Sequence, residues 1–152
     1  MIRLATLSDR VAVQALYQEL RPHDPILSQK HAEKAWADLI NDSSSFIVVA
    51  ERDGQLAATC ALTMNKSIAN GARPFGIIEH VITAAKFRQQ GLSQQVLTYA
   101  IELAWQQQCY KVMLLSGEQL IGAHRVYEKV GFKSGIEKGF VIKPPGSNDT
   151  KQ

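Results

Sequence analysis

The stretch Arg88-Gln89-Gln90-Gly91-Leu92-Ser93 has the clearest chemical potential in this chain. It joins a β-branched run, Ile77-Ile78-Glu79-His80-Val81-Ile82-Thr83, to a segment of helical spacing that begins at Leu92. A strand that turns directly into a helix creates an anion site. The first N–H groups of the helix lack intrahelical partners, and the macrodipole adds about half a positive charge at that end. A pyrophosphate is a group that such a turn binds through backbone alone. Gly91 lets a ligand approach closely, and Arg88 adds a fixed charge. A strand-turn-helix unit with one glycine also arises for packing reasons, so the turn alone leaves both readings open. Neither G-x-x-x-x-G-K-[ST] nor G-x-G-x-x-G occurs, which argues against a nucleotide hydrolase or a dinucleotide enzyme.

Other reactive side chains are few. Cys60 and Cys109 are the only cysteines, each inside an apolar segment and not in a spaced metal-ligand or redox pair, so both read as small buried hydrophobes. No metal site is expected. Lys and Arg exceed Asp and Glu by 17 to 14, a formal charge of +3 that is spread along the chain. An excess that mild is poor support for a nucleic-acid binder. With 152 residues, 45% hydrophobic and 20% charged, the composition is that of one soluble domain. The N-terminus carries charges at Arg3, Asp9 and Arg10, and later apolar runs are interrupted every few positions. No signal peptide, no membrane span and a cytoplasmic location are expected.

The elements that must position the turn follow from periodicity. Ile2 to Ala5 reads as a strand, and Thr6 or Ser8 caps an amphipathic helix that carries Val11, Val13, Leu16, Tyr17 and Leu20. Pro22 and Pro25 end it, and Ser28 caps a second helix through Ala32, Ala35, Trp36, Leu39 and Ile40. Phe46 to Ala50 and Leu56 to Met64 read as strands joined by the Asp53-Gly54 hairpin turn. Asn65 to Pro74 reads as a loop before a strand from Phe75 to Thr83. After the glycine turn, Leu92, Val96, Leu97, Ala100, Ile101, Leu103 and Ala104 mark a helix to about Gln107. Tyr110 to Leu115 reads as a strand, Leu120 to Lys129 as a helix closed by Gly131, and Phe132 to Ile142 as a final strand or hairpin. The expected order is β-α-α-β-β-β-α-β-α-β, an α/β layer on one mixed sheet. One domain over residues 1–143 and a frayed tail over 144–152 complete the expectation.

Read together, the second half resembles the GCN5-related N-acetyltransferase (GNAT) superfamily over roughly residues 75–140. Arg88-Gln89-Gln90-Gly91-Leu92-Ser93 is similar to that family's Q/R-x-x-G-x-G/A pyrophosphate loop, directly after the strand Ile78 to Thr83. About thirty residues on, Ala123-His124-Arg125-Val126-Tyr127-Glu128-Lys129-Val130-Gly131-Phe132 is similar to its A-x-x-x-Y-E-x-x-G-F element. Two positions depart from the pattern. Ser93 stands where Gly or Ala is usual, and Leu120 stands where the family often has a cofactor-contacting asparagine.

The resemblance implies a single GNAT-type domain whose mixed sheet has a splayed strand pair and about four flanking helices. It implies an acetyl-CoA dependent N-acetyltransferase, with the pantetheine arm pairing with the backbone of Val81, Ile82 and Thr83. The phosphates would fall on the amides of Gln89, Gln90, Gly91, Leu92 and Ser93, with the Arg88 side chain nearby. An acceptor amine of lysine type, with a pKa of about 10.4, arrives as an ammonium and needs a base. The family's usual carboxylate falls on Glu79, and its usual general acid for the leaving thiolate on Tyr127. Adjacent strand residues point to opposite faces, so only one of Glu79 and His80 is expected to face the acceptor, and Glu79 is preferred. A backbone N–H near Ile82 would stabilise the oxyanion.

The acceptor is read as a primary amine of a small molecule, of amino-sugar, aminoalkyl or amino-acid type. A protein or peptide amine, or a non-catalytic acyl-CoA sensor on the same fold, are the alternatives. A homodimer paired through Phe140 to Ile142 is left open.

Overall fold

The computed structural model describes residues 1–147. A five-stranded sheet in the order β1-β2-β3-β4-β5 forms its centre. The strands are β1 (Ile2–Leu4), β2 (Ser45–Arg52), β3 (Gln55–Asn65), β4 (Phe75–Thr83) and β5 (Val112–Met113). The first four run antiparallel to their neighbours, and β5 joins β4 in parallel. The sheet is flanked by α1 (Arg10–Leu20), α2 (Gln29–Ile40), the four-residue α3 (Ala69–Ala72), α4 (Leu92–Gln106) and α5 (Ile121–Lys129). Among the described residues, no helix is long and apolar enough to cross a membrane.

Alternation along β2 sorts two cores onto the two faces of the sheet. Ile47 and Val49 join Val13 of α1 and Trp36 of α2, whereas Val48 and Ala50 join Val96, Leu97, Ala100 and Ala104 of α4. Trp36 is aimed by its indole N–H, which donates to the carbonyls of Thr6 and Leu7 at 3.2 and 3.1 Å. Ser28 caps α2 as expected, its hydroxyl accepting from the His31 amide at 3.2 Å. Both cysteines are buried, Cys60 donating its thiol to the Val96 carbonyl of α4. Burial pushes the Cys60 thiol up to about 12, so it stays protonated.

Two expected strands fail. Tyr110 to Leu115 contributes only Val112–Met113 as a strand, and Phe132 to Ile142 forms no strand at all. Gly131 and Gly135 take φ of 109° and 79°, which turns the chain away from an extended path. Lys111 then pins the segment by holding Glu137 at 3.0 Å. Phe140, Val141 and Ile142 are left exposed. Of the tail expected at residues 144–152, positions 148–152 lie outside the described residues.

Candidate active site

The parallel ladder between β4 and β5 holds only two register pairs, Gly76 with Val112 and Ile77 with Met113. From Ile78 to Thr83, β4 has no partner on that side, although its other edge stays bonded to β3. Unpaired backbone groups inside a fold must find a partner, and here they line an opening in the sheet. Val81, Ile82 and Thr83 stand on that free edge.

A bulge against β3 falls within this unpaired stretch of β4. On β3, Thr59 pairs with Ile82 and Ala61 with Glu79, so His80 and Val81 together face the single residue Cys60. His80 takes φ of 55°, a left-handed conformation that costs a residue with a side chain about 1–3 kcal/mol. The bulge also breaks the alternation. Glu79 and His80 were expected on opposite faces, yet His80 Nε2 lies 3.7 Å from Glu79 Oε2. The His80 ring also meets the Tyr17 ring of α1 at a centroid distance of 5.1 Å. Both strand side chains reach solvent, Glu79 at 67% and His80 at 38% exposure.

At the end of β4 the chain makes one 3₁₀ turn, Ala85–Phe87, and enters the loop before α4. Gln89 and Gly91 both have positive φ, 63° and 77°. Among the described residues, the backbone N–H groups of Gln89, Gln90, Gly91, Leu92 and Ser93 make no hydrogen bond, and the first helical bond runs from Gln95 to the Gly91 carbonyl. Successive free amides at a helix N-terminus form a concavity suited to phosphate oxygens. Among the described residues, no atom outside Gly91's own stretch of chain lies within 4 Å of where a Gly91 Cβ would stand.

Three side-chain contacts that the sequence reading did not anticipate fix this loop. Arg52, at the end of β2, donates to Gln90 Oε1 at 2.6 Å. Thr83 Oγ1 and Ser93 Oγ share a hydrogen bond at 2.5 Å, which ties the end of β4 to the start of α4. Glu19 of α1 accepts from the Ala85 amide at 3.2 Å. The Ser93 hydroxyl is therefore engaged by Thr83. Arg88 is also tied back, its Nε donating to the Thr83 carbonyl at 3.3 Å. Local spacing contains no signal for such pairs, because the partners come from different elements.

Tyr127 lies on α5, half-buried, with its ring against Phe132 at 6.2 Å in an edge-on arrangement. Burial raises its pKa above the ordinary phenol value, while the Ser116 hydroxyl beside it pulls the other way. Ser116 Oγ is itself buried without a hydrogen-bond partner of good geometry. Both residues line a cavity of about 640 Å³ between the C-terminal half of α4, β5 and α5. That cavity contains Tyr127 but is not lined by Glu79 or by the loop from Arg88 to Ser93, so it is not the anion cradle. Leu120, in place of the expected asparagine, ends up as the residue before α5 and is 40% exposed.

The model of the acetyltransferase (GNAT) family matches residues 12–132. Among curated proteins, a glucosamine 6-phosphate N-acetyltransferase of Trypanosoma brucei brucei is 30% identical over 81 residues. That match spans 53% of this chain and 53% of the trypanosomal protein, about half the length of each. Glucosamine 6-phosphate N-acetyltransferase 1 of Oryza sativa subsp. japonica is 28% identical over 120 residues, spanning 77% of this chain and 70% of that one. Among solved structures, a protein of Agrobacterium tumefaciens str. C58 provisionally described as an acetyltransferase superposes with a TM-score of 0.89 at 35% identity. The superposition covers 95% of this chain and 99% of that one. Glucosamine-6-phosphate N-acetyltransferase from Arabidopsis thaliana shares the fold, with a TM-score of 0.81 at 21% identity over 97% of this chain and 98% of that one.

Proposed function

The chain belongs to the acetyltransferase (GNAT) family, and from that premise we propose that it transfers acetyl from acetyl-CoA to the primary amine of a small molecule. The observation that supports this most is the adjacency of two unsatisfied backbone surfaces, the free edge of β4 and the open amides of Gln89 to Ser93. One suits an extended amide-bearing arm and the other its pyrophosphate. Bound acetyl-CoA would supply a thioester carbonyl that an amine can attack. Val81, Ile82 and Thr83 would hold the arm, and the loop Arg88, Gln89, Gln90, Gly91, Leu92 and Ser93 the phosphates. Arg88 and Ser93 act chiefly by fixing the loop through Thr83.

Glu79 Oε accepts a proton from the incoming ammonium, because only the free amine has a lone pair to give. Its exposure leaves room for an acceptor to reach it. Tyr127 Oη donates a proton to the departing sulfur, and burial keeps that phenol protonated through neutral pH. An amino-sugar acceptor is the favoured class, since the curated relatives named above act on glucosamine 6-phosphate. A homodimer is proposed alongside, supported by the exposed Phe140, Val141 and Ile142 and by the position of β5 at the sheet edge.

The test uses two readings of the purified chain. Acetyl-CoA at 100 times its Kd is expected to add about 2.7 kcal/mol to stability, seen as a rise in Tm. A panel of amines beginning with glucosamine 6-phosphate is expected to release free thiol. No Tm shift at millimolar acetyl-CoA, together with no thiol release, overturns the proposal.

A further inference from the structure

The bulge in β4 gives the site a second proton-accepting group whose purpose the proposed reaction leaves open. An ammonium acceptor that becomes an amide forms one N–C bond as the thioester C–S bond breaks, and its nitrogen sheds two protons. One proton is balanced by the proton that Tyr127 delivers to sulfur and regains from water; the other is released. Both leave from the same nitrogen, and a single carboxylate holds one proton at a time. Glu79 must be emptied between the two departures.

His80 is placed to empty it. Its Nε2 lies 3.7 Å from Glu79 Oε2, and its ring is partly open to solvent. Catalytic hydrogen bonds are often long before substrate binds. The placement comes at the expense of local backbone strain: a histidine held at φ of 55° within a strand is unusual, and such outliers gather at functional sites. In a regular strand the two side chains would lie on opposite faces. We infer that His80 is the second proton acceptor of this site, taking from Glu79 each proton that Glu79 removes from the amine and passing it to water. His80 acts through Glu79 and not on the substrate, and the inference rests on the acetyltransferase reading above.

The groups around His80 are compatible with that relay. Glu79 shares its strand, Tyr17 faces it from α1, and Cys60 lies opposite on β3. Burial pushes both the Tyr17 hydroxyl and the Cys60 thiol up to about 12, so neither competes for protons near neutrality. Tyr17 instead offers an aromatic face that holds the imidazole in place.

The experiment compares the parent chain with His80→Asn, His80→Gly and Glu79→Gln, using a panel amine that the parent accepts and following thiol release against pH. Asn and Gly both tolerate positive φ, so the bulge is kept, and an unchanged acetyl-CoA-induced rise in Tm verifies that the cofactor cleft survives. The expected result is a 10- to 100-fold fall in kcat for His80→Asn with KM for acetyl-CoA unchanged. The pH profile of kcat is expected to differ between His80→Asn and the parent. Added imidazole restores His80→Gly. A kcat for His80→Asn within twofold of the parent, or a pH profile of kcat that matches the parent's, overturns the relay while leaving Glu79 as the base. A large loss in His80→Asn with none in Glu79→Gln overturns the role of Glu79 and the relay with it. No turnover of any amine by the parent overturns the proposed function, and the inference falls with it.

Discussion

The bond between Thr83 and Ser93 is the one link between the end of β4 and the start of α4 that two conservative substitutions can isolate. Its oxygens are 2.5 Å apart, and Thr83 is only 9% exposed. Ser93→Ala leaves the Thr83 hydroxyl buried without a partner, at a cost of about 1–2 kcal/mol. Thr83→Val leaves Ser93, which is half-buried and reaches water, so about 0.5–1 kcal/mol is expected. Replacing both removes the unsatisfied group, and the double variant is expected to be less destabilised than the sum by about 1 kcal/mol. Urea unfolding measures this directly. With a slope of about 2 kcal/mol/M, a loss of ~1 kcal/mol moves the midpoint by roughly 0.5 M. Acetyl-CoA affinity should fall severalfold in each variant, because the start of α4 is no longer tied to β4. Single effects that add to within about 0.3 kcal/mol would refute the bond as a coupling element.

Two glycines should behave oppositely on gaining a methyl group. A Cβ at Gly76 would come within 2.9 Å of Leu62 Cδ1, a fully buried side chain, so Gly76→Ala should cost about 1–3 kcal/mol by calorimetry. Gly91→Ala meets open space and should cost only the left-handed strain, about 1–2 kcal/mol, while weakening acetyl-CoA binding measured by titration. Tyr127→Phe should lower kcat by roughly 10²–10³ with little change in KM, and the parent should keep its rate into mildly alkaline pH because burial holds the phenol protonated. A kcat within threefold of the parent would remove Tyr127 from the mechanism. Burial raises Tyr17 from 10.0 to about 12, so the unfolded chain gives up this proton first. The stability tied to Tyr17 is whole below pH 10 and is lost as pH rises toward 12, by about 2–3 kcal/mol in all. Tyr17→Phe should flatten that part of the stability curve in chemical unfolding.

Local pattern made much of this protein legible in its amino-acid order. β4 spans Phe75–Thr83 as expected, Ser28 caps α2, and α4 begins at Leu92 directly after Gly91. Each of these rests on neighbours within one or two turns of chain, where periodicity and cap chemistry act. The run of free amides from Gln89 to Ser93 was legible for the same reason, since it belongs to one strand-to-helix junction. Tertiary structure alone decided how the cradle is held and what stands beside Glu79. The Arg52–Gln90 and Thr83–Ser93 bonds join side chains 38 and 10 residues apart, which spacing rules do not connect. The final strand expected at Phe132 to Ile142 was lost because three glycines, at 131, 135 and 139, interrupt it and β5 offers only a two-residue ladder. The bulge at His80 depends on pairing with β3, where two residues meet one, and no single-strand pattern records that mismatch. Alternation is a rule for one strand by itself; register is a property of two, and register set which side chain stands beside Glu79.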